Sequence, residues 1–231
     1  RSLVELGLSL QGKLGKDFVA VMRANAGSLR RVRLHAHLGD GMGSALVQAL
    51  REAALQELAL DNCSLGPNTL RYLEGAVAHT VVGGVTRTAW PLEWLSLSGN
   101  PALSECEAVL VALLGQRKLR ELRLQACGLR PERGGQLGRL AMALPALQTL
   151  DVSRNPQFGT AGARALLQAA LQEWGKRGIR GQVAGVAAVP GRVELMDCGV
   201  AQQDGGAAGD DVAFRPVLPR RLGRFELNWE V

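Results

Sequence analysis

A chain of 231 residues that is 47% hydrophobic and 21% charged can bury a sizeable core, which excludes a disordered segment. Its net charge of +6 points toward acidic partners, although the predominance of arginine among the cations also fits a coding bias. No apolar run reaches the roughly 18 to 20 residues of a membrane-spanning helix, and no charged-then-apolar leader follows Arg1.

In chain order, the first predicted element is a strand at Leu3, Leu6 and Leu8. The second and third apolar residues are two apart, so they share one face of a strand, and the residues beside them take the other. The same spacing returns at Leu29, Val32 and Leu34. Next, GDGMGS from Gly39 resembles half of a phosphate-binding loop, with a helix expected from about Ser44. The plainer reading is a glycine-rich turn with Ser44 as helix N-cap, because no acidic residue follows where a nucleotide-binding unit needs one. The third frame, LQELALDNCSL from Leu55, is complete: L-x-x-L-x-L-x-x-C-x-L. After Pro67, the stripe Leu70, Leu73 and Val77 predicts a helix.

Val81–Pro91 reads as an insertion, and the frame resumes at Leu92, Leu95 and Leu97. The helix after it is expected to turn Ala108, Val111 and Leu114 inward, with Ser104 and Glu107 as a capping box. LRELRLQACGL from Leu119 repeats the complete frame, and Leu147, Leu150 and Val152 open another. A helix carrying Ala163, Leu166, Leu167, Ala170 and Trp174 should stop at Gly175 and Gly178. Arg177–Pro190 reads as a second insertion, before Val193, Leu195, Cys198 and Val200 keep the second half of the frame. AQQDGGAAGDD, 201–211, reads as a flexible insertion, and Leu222, Phe225 and Leu227 as a closing strand.

The first six frames start 26, 26, 37, 27 and 28 residues apart. Such a period marks strand–turn–helix units that close a core only by stacking. The chain resembles the leucine-rich repeat proteins, specifically the ribonuclease-inhibitor-like subclass, whose turns carry Asn or Cys. Asn100, Asn155, Cys63, Cys127 and Cys198 hold that place here, while Gln11 and His37 depart from it. The resemblance implies an α/β solenoid over 1–231: about seven repeats and a closing strand in one horseshoe, with a parallel sheet on the concave face and helices on the convex one. No cap precedes Leu3, which fits a fragment of a longer array or an N-terminal end that docks on a neighbour.

Little in the chain carries chemistry. His35 and His37 lack a third ligand for a metal, no cofactor motif stands out, and no nucleophile elbow or zinc-protease motif appears. Cys63 and Cys127 belong to units two apart, too far for a disulfide, so the cysteines are expected to be reduced thiols in an intracellular compartment, most simply the cytoplasm, with an organelle or a cytoskeletal assembly as alternatives. RPVLPRR from Arg215 fits a polyproline ligand or, more plainly, a rigid connector.

Function is therefore expected on the concave face. One transverse row should read Glu5, Arg31, Glu57, Trp94, Glu121, Thr149, Arg192, Arg224; the next Gly7, Arg33, Ala59, Ser96, Arg123, Asp151, Glu194, Glu226. Arg31 and Arg33 make its N-terminal part basic, and Asp151 and Glu194 make its C-terminal part acidic. Trp94 beside Arg123 has the composition of an interface hot spot, unless the Val81–Pro91 insertion folds over it. The residues expected to touch a partner are Arg31, Arg33, Trp94, Arg123, Asp151, Arg192 and Glu194. The expected function is a non-enzymatic scaffold that holds another protein, acidic by the +6 charge, as a subunit of an assembly. The alternatives are a regulator of a partner enzyme, such as a ribonuclease-inhibitor-like or GTPase-activating array, and an RNA–protein scaffold. The last is disfavoured because no face clusters basic and aromatic residues.

Overall fold

A computed structural model describes residues 3–10, 12, 14–82, 85–88, 90–105, 107–179, 191–198, 221–222 and 225–228. The 201–211 segment, the proline motif before Arg221, Gln11, Cys106 and most of the Arg177–Pro190 insertion lie outside the described residues. So do Val200, Arg224 and the Trp174 side chain.

Strands and helices alternate. β1 (Glu5–Ser9) leads to α1 (Lys16–Asn25), β2 (Arg31–His35) to α2 (Gly39–Ala49) and β3 (Glu57–Asp61) to α3 (Pro67–Val77). After β4 (His79–Val82) and β5 (Val85–Thr88), the alternation resumes with β6 (Trp94–Ser96) and α4 (Glu107–Ala112), β7 (Glu121–Arg123) and α5 (Gly134–Ala143). It ends with β8 (Thr149–Asp151), α6 (Gly159–Ile179), β9 (Gly191–Glu194), β10 (Arg221–Leu222) and β11 (Phe225–Asn228). The main sheet runs β1-β2-β3-β6-β7-β8-β9-β11-β10, and β4 and β5 form a separate antiparallel pair. From β1 to β9 every pairing in the main sheet is parallel. The fold is therefore α/β, with a parallel sheet and a helix in each connection.

The register follows from the apolar frame. Leu6, Val32, Leu58, Leu95, Leu122, Leu150 and Val193 lie side by side across seven strands. From Val32 to Val193 they are 98% buried or more, and the leucines of β1 are half-buried. The last strand departs from the expected register by two residues. Leu227 lies opposite Val193, so Glu226 and Asn228 continue the rows expected to end in Arg224 and Glu226.

The turn residues explain the spacing of Asn and Cys. Each reaches back to the carbonyl of the third apolar residue in the preceding unit. Cys63 donates to Leu34 O (3.6 Å), Asn100 to Leu60 O (2.7 Å), Cys127 to Leu97 O (3.2 Å), Asn155 to Leu124 O (2.9 Å) and Cys198 to Val152 O (3.0 Å). The residue read as turning its own strand is thus also a staple between neighbours. His37, at the equivalent place, is exposed and meets Ser64 at 2.9 Å instead.

These thiols yield a chemical prediction. Burial pushes Cys63 and Cys198 up to about 11 and Cys127 up to about 12. All three are free. At pH 8 almost none is thiolate, the reactive form. Iodoacetamide should leave them unmodified in the folded protein and alkylate them once it is denatured. Rapid modification of Cys127 under native conditions, read by peptide mapping, would contradict this packing.

The helix layer corrects several expectations. α2 already starts at Gly39, so Ser44 lies inside the helix, where its hydroxyl donates to Asp40 O at 2.7 Å. The resemblance to a phosphate loop fails, because these residues are helix. Asp40 serves the next unit: its carboxylate accepts from Thr69 N (2.7 Å) and Asn68 N (3.3 Å) in the first turn of α3. Partial desolvation raises its pKa, but the hydrogen bonds from Thr69 and Asn68 outweigh it and hold the carboxyl below its usual range.

The helix after Asn100 is broken into a 3₁₀ turn (Pro101–Glu105), α4 and a second 3₁₀ turn (Leu113–Gly115). This rotates its apolar face. Leu103, Val109, Leu110 and Leu113 are buried, whereas Val111 and Leu114 are exposed and Glu107 pairs with Arg133 instead of capping. α6 runs through Gly175 and Gly178 to Ile179, so neither glycine stops it.

Two buried side chains bind the Val81–Pro91 insertion region to the core. Trp90 is fully buried and donates its indole N–H to Leu50 O at 3.0 Å. Gln116 donates to Val77 O (2.7 Å) and accepts from Leu92 N (3.2 Å).

α5 and α6 approach through glycines. A Cβ on Gly134 would strike the Gly162 carbonyl oxygen, and one on Gly138 the Leu166 carbonyl oxygen. Backbone cannot retreat as a side-chain tip can, so Gly138→Ala should cost roughly 1 to 3 kcal/mol. The usual helix preference for alanine, about 1 kcal/mol, opposes this loss. A urea midpoint equal to or above wild type would show that the helices can separate freely.

Candidate protein-binding surface

Strand parity decides which side chains leave the core. In β3 it sends Leu58 and Leu60 toward the helices and Glu57, Ala59 and Asp61 to the other, open face of the sheet. Glu5, Arg31, Glu57, Trp94, Glu121, Thr149 and Arg192 stand in one row, and Gly7, Arg33, Ala59, Ser96, Arg123, Asp151 and Glu194 in the next.

The arginines of this face are held by its own glutamates. Arg31 lies between Glu5 (3.3 Å) and Glu57 (3.1 Å), and Arg33 reaches Glu57 at 2.5 Å. Arg123 pairs with Glu121, and Arg192 with Glu194 at 3.1 Å. The N-terminal part is therefore not a bare basic patch. From β1 to β9, Arg31, Arg33, Arg123 and Arg192 face six carboxylates: Glu5, Glu57, Asp61, Glu121, Asp151 and Glu194. The face is formally two charges negative on a chain that is +6.

Trp94 stands at the middle of the sheet. The Arg33 guanidinium lies 5.5 Å from its ring centroid and that of Arg123 5.4 Å, so two cations lie over the one ring. Such contacts stabilise by about 0.5 to 1 kcal/mol each when exposed. Ala59 and Ser96, on the open face beside Trp94, are almost fully buried. Trp94 itself stays half-buried, with part of its surface open. Its indole N–H meets no acceptor among the described residues.

The expected site residues fall into two groups. Arg33, Trp94 and Arg123 converge in one stack, with Arg31 beside it in the Glu5–Glu57 ion pairs. Asp151, Arg192 and Glu194 form a second group on β8 and β9. Asp151 is only 3% exposed, accepts from Ser153 N at 3.0 Å and is bonded by Gln125. It orders the sheet instead of offering a contact. Burial and the Asp151 carboxylate opposite raise the pKa of Glu194, partly offset by Arg192.

No protein-family model matches the chain. No helix among the described residues is long and apolar enough to cross a membrane.

The two-row expectation missed Asp61. It accepts from Ser96 Oγ at 2.5 Å and Ser98 N at 3.0 Å, both on Oδ1. The signal was present: parity carried one residue past the third leucine names Asp61, Ser98, Gln125 and Ser153. His35, opposite Asp61 on β2, is exposed, with Asn62 Nδ2 at 3.4 Å from its Nδ1.

Proposed function

We propose that this protein is a leucine-rich-repeat horseshoe whose open sheet face binds another protein without catalysing a reaction, as a scaffold within a larger assembly. Three features support the repeat reading: apolar positions in register across seven strands, a helix in each connection, and staples from Asn or Cys to the preceding unit. The Arg33–Trp94–Arg123 stack carries the binding reading. A large aromatic surface, held rigid by two guanidiniums and left partly open mid-face, contributes most when a partner covers it. The buried thiols fit a reducing compartment.

The test is a crosslinked pull-down with mass spectrometry, comparing wild type with Trp94→Ala. A protein recovered with wild type, lost with Trp94→Ala and retained by a helix-layer variant such as Tyr72→Ala supports the reading. Partners lost only with Tyr72→Ala would move the interface to the helices.

A further inference from the structure

Beside Trp94 the open face carries a shallow hollow of about 380 Å³, bordered by Gly7, Arg33, His35, Ala59, Asp61 and Trp94. It exists because Gly7 and Ala59, flanking Arg33 in the second row, have almost no side chain. Two groups at its rim lack partners among the described residues. Asp61 Oδ1 takes both hydrogen bonds, from Ser96 and Ser98, and Oδ2 takes none. The indole N–H of Trp94 is the second. Neither Arg33 nor His35 answers Asp61: Arg33 is committed to Glu57 and His35 lies beside Asn62.

We infer that this hollow receives a lysine or arginine side chain of the partner protein, its cationic head on Asp61 Oδ2 and its stem against the edge of Trp94. The inference rests on the protein-binding reading of the same face and narrows the partner's chemistry. A carboxylate needs a donor, so a cation suits Asp61 and an anion does not. The Arg33 and Arg123 guanidiniums already lie over the Trp94 ring, which leaves its edge to the newcomer, and the indole N–H there can take a backbone carbonyl of the partner. From β1 to β9 the face is two charges negative, which favours a basic segment in spite of the positive chain.

The probe is a fluorescein-labelled peptide of alternating arginine and glycine, with the matching glutamate–glycine peptide as control, read by anisotropy at low salt. Wild type should bind the arginine peptide and not the control. Asp61→Asn keeps an acceptor for Ser96 and Ser98 but removes the charge, and should weaken binding about tenfold, as expected for a charge-assisted hydrogen bond. Gly7→Leu fills the hollow without changing charge. A Cβ at Gly7 meets nothing within 4 Å, so the strand has room for a side chain there, and this variant should also weaken binding while its thermal melt stays close to wild type. If both variants bind as wild type does, or if the glutamate peptide binds equally well, the inference is overturned. If both bind as wild type does while Trp94→Ala loses its protein partner, this inference alone falls and the open face remains the interface. If Trp94→Ala also keeps the partner, both readings fall.

Discussion

Asn155→Leu should destabilise the protein on the order of 4 kcal/mol, read as a fall in the urea midpoint at constant slope. Asn155 is fully buried. Its amide donates to Leu124 O (2.9 Å), Val152 O (2.7 Å) and Ser153 O (3.1 Å), and its carbonyl accepts from Cys127 N (2.8 Å) and Leu129 N (3.0 Å). A leucine fills similar space and satisfies none of these groups. A buried donor or acceptor left unpaired costs about 1 to 3 kcal/mol, and the two N–H groups have no alternative. Asn155→Cys should cost less, because a thiol at this place still reaches back, as Cys127 does to Leu97 O at 3.2 Å. If Leu and Cys cost the same, the staple is not what holds the units together.

Trp94→Ala should weaken partner binding about thirtyfold or more, corresponding to about 2 kcal/mol for an aromatic anchor at an interface centre. The fold should survive. Trp94 lies on the open side of the sheet, and the apolar residues behind it, Leu58, Leu95 and Leu122, keep their partners. Calorimetric titration of the partner and a thermal melt separate the two effects. A variant that melts far below wild type yet binds normally would make Trp94 a structural cover for Ala59 and Ser96. Arg31→Glu is a poor companion test, because it would place three carboxylates side by side at Glu5, position 31 and Glu57.

The apolar frame determined most of the sheet. With period two and every second residue driven inward, a register shifted by one residue would turn Val32, Leu58, Leu95, Leu122 and Leu150 out of the core, and the same parity set Trp94 on the open face. The frame failed where it was weakest. Leu222, Phe225 and Leu227 permit two pairings two residues apart, since either keeps apolar residues on the same side, and the neighbouring strand chose the one opposite Val193. The helix after Asn100 was misread for a similar reason. In SECEAVLVALLGQ nearly every position is apolar or small, so periodicity could not choose a face, and the 3₁₀ turns rotated Val111 and Leu114 outward.

Composition and spacing alone thus specified which residues pair across the sheet and which turn residues are unusual. Only the tertiary structure decided what those residues do for one another. The reach of Asn155 to the preceding unit, the stacking of Arg33 and Arg123 on Trp94, the bond from Trp90 to Leu50 and the bond from Ser96 to Asp61 all join residues 29 or more positions apart. Periodicity registers only how a residue relates to its own strand or helix. Contacts between units depend on where the neighbouring backbone places its carbonyls and on which neighbours are as small as Gly7, Ala59 and Gly138, and these appear only when the units are stacked.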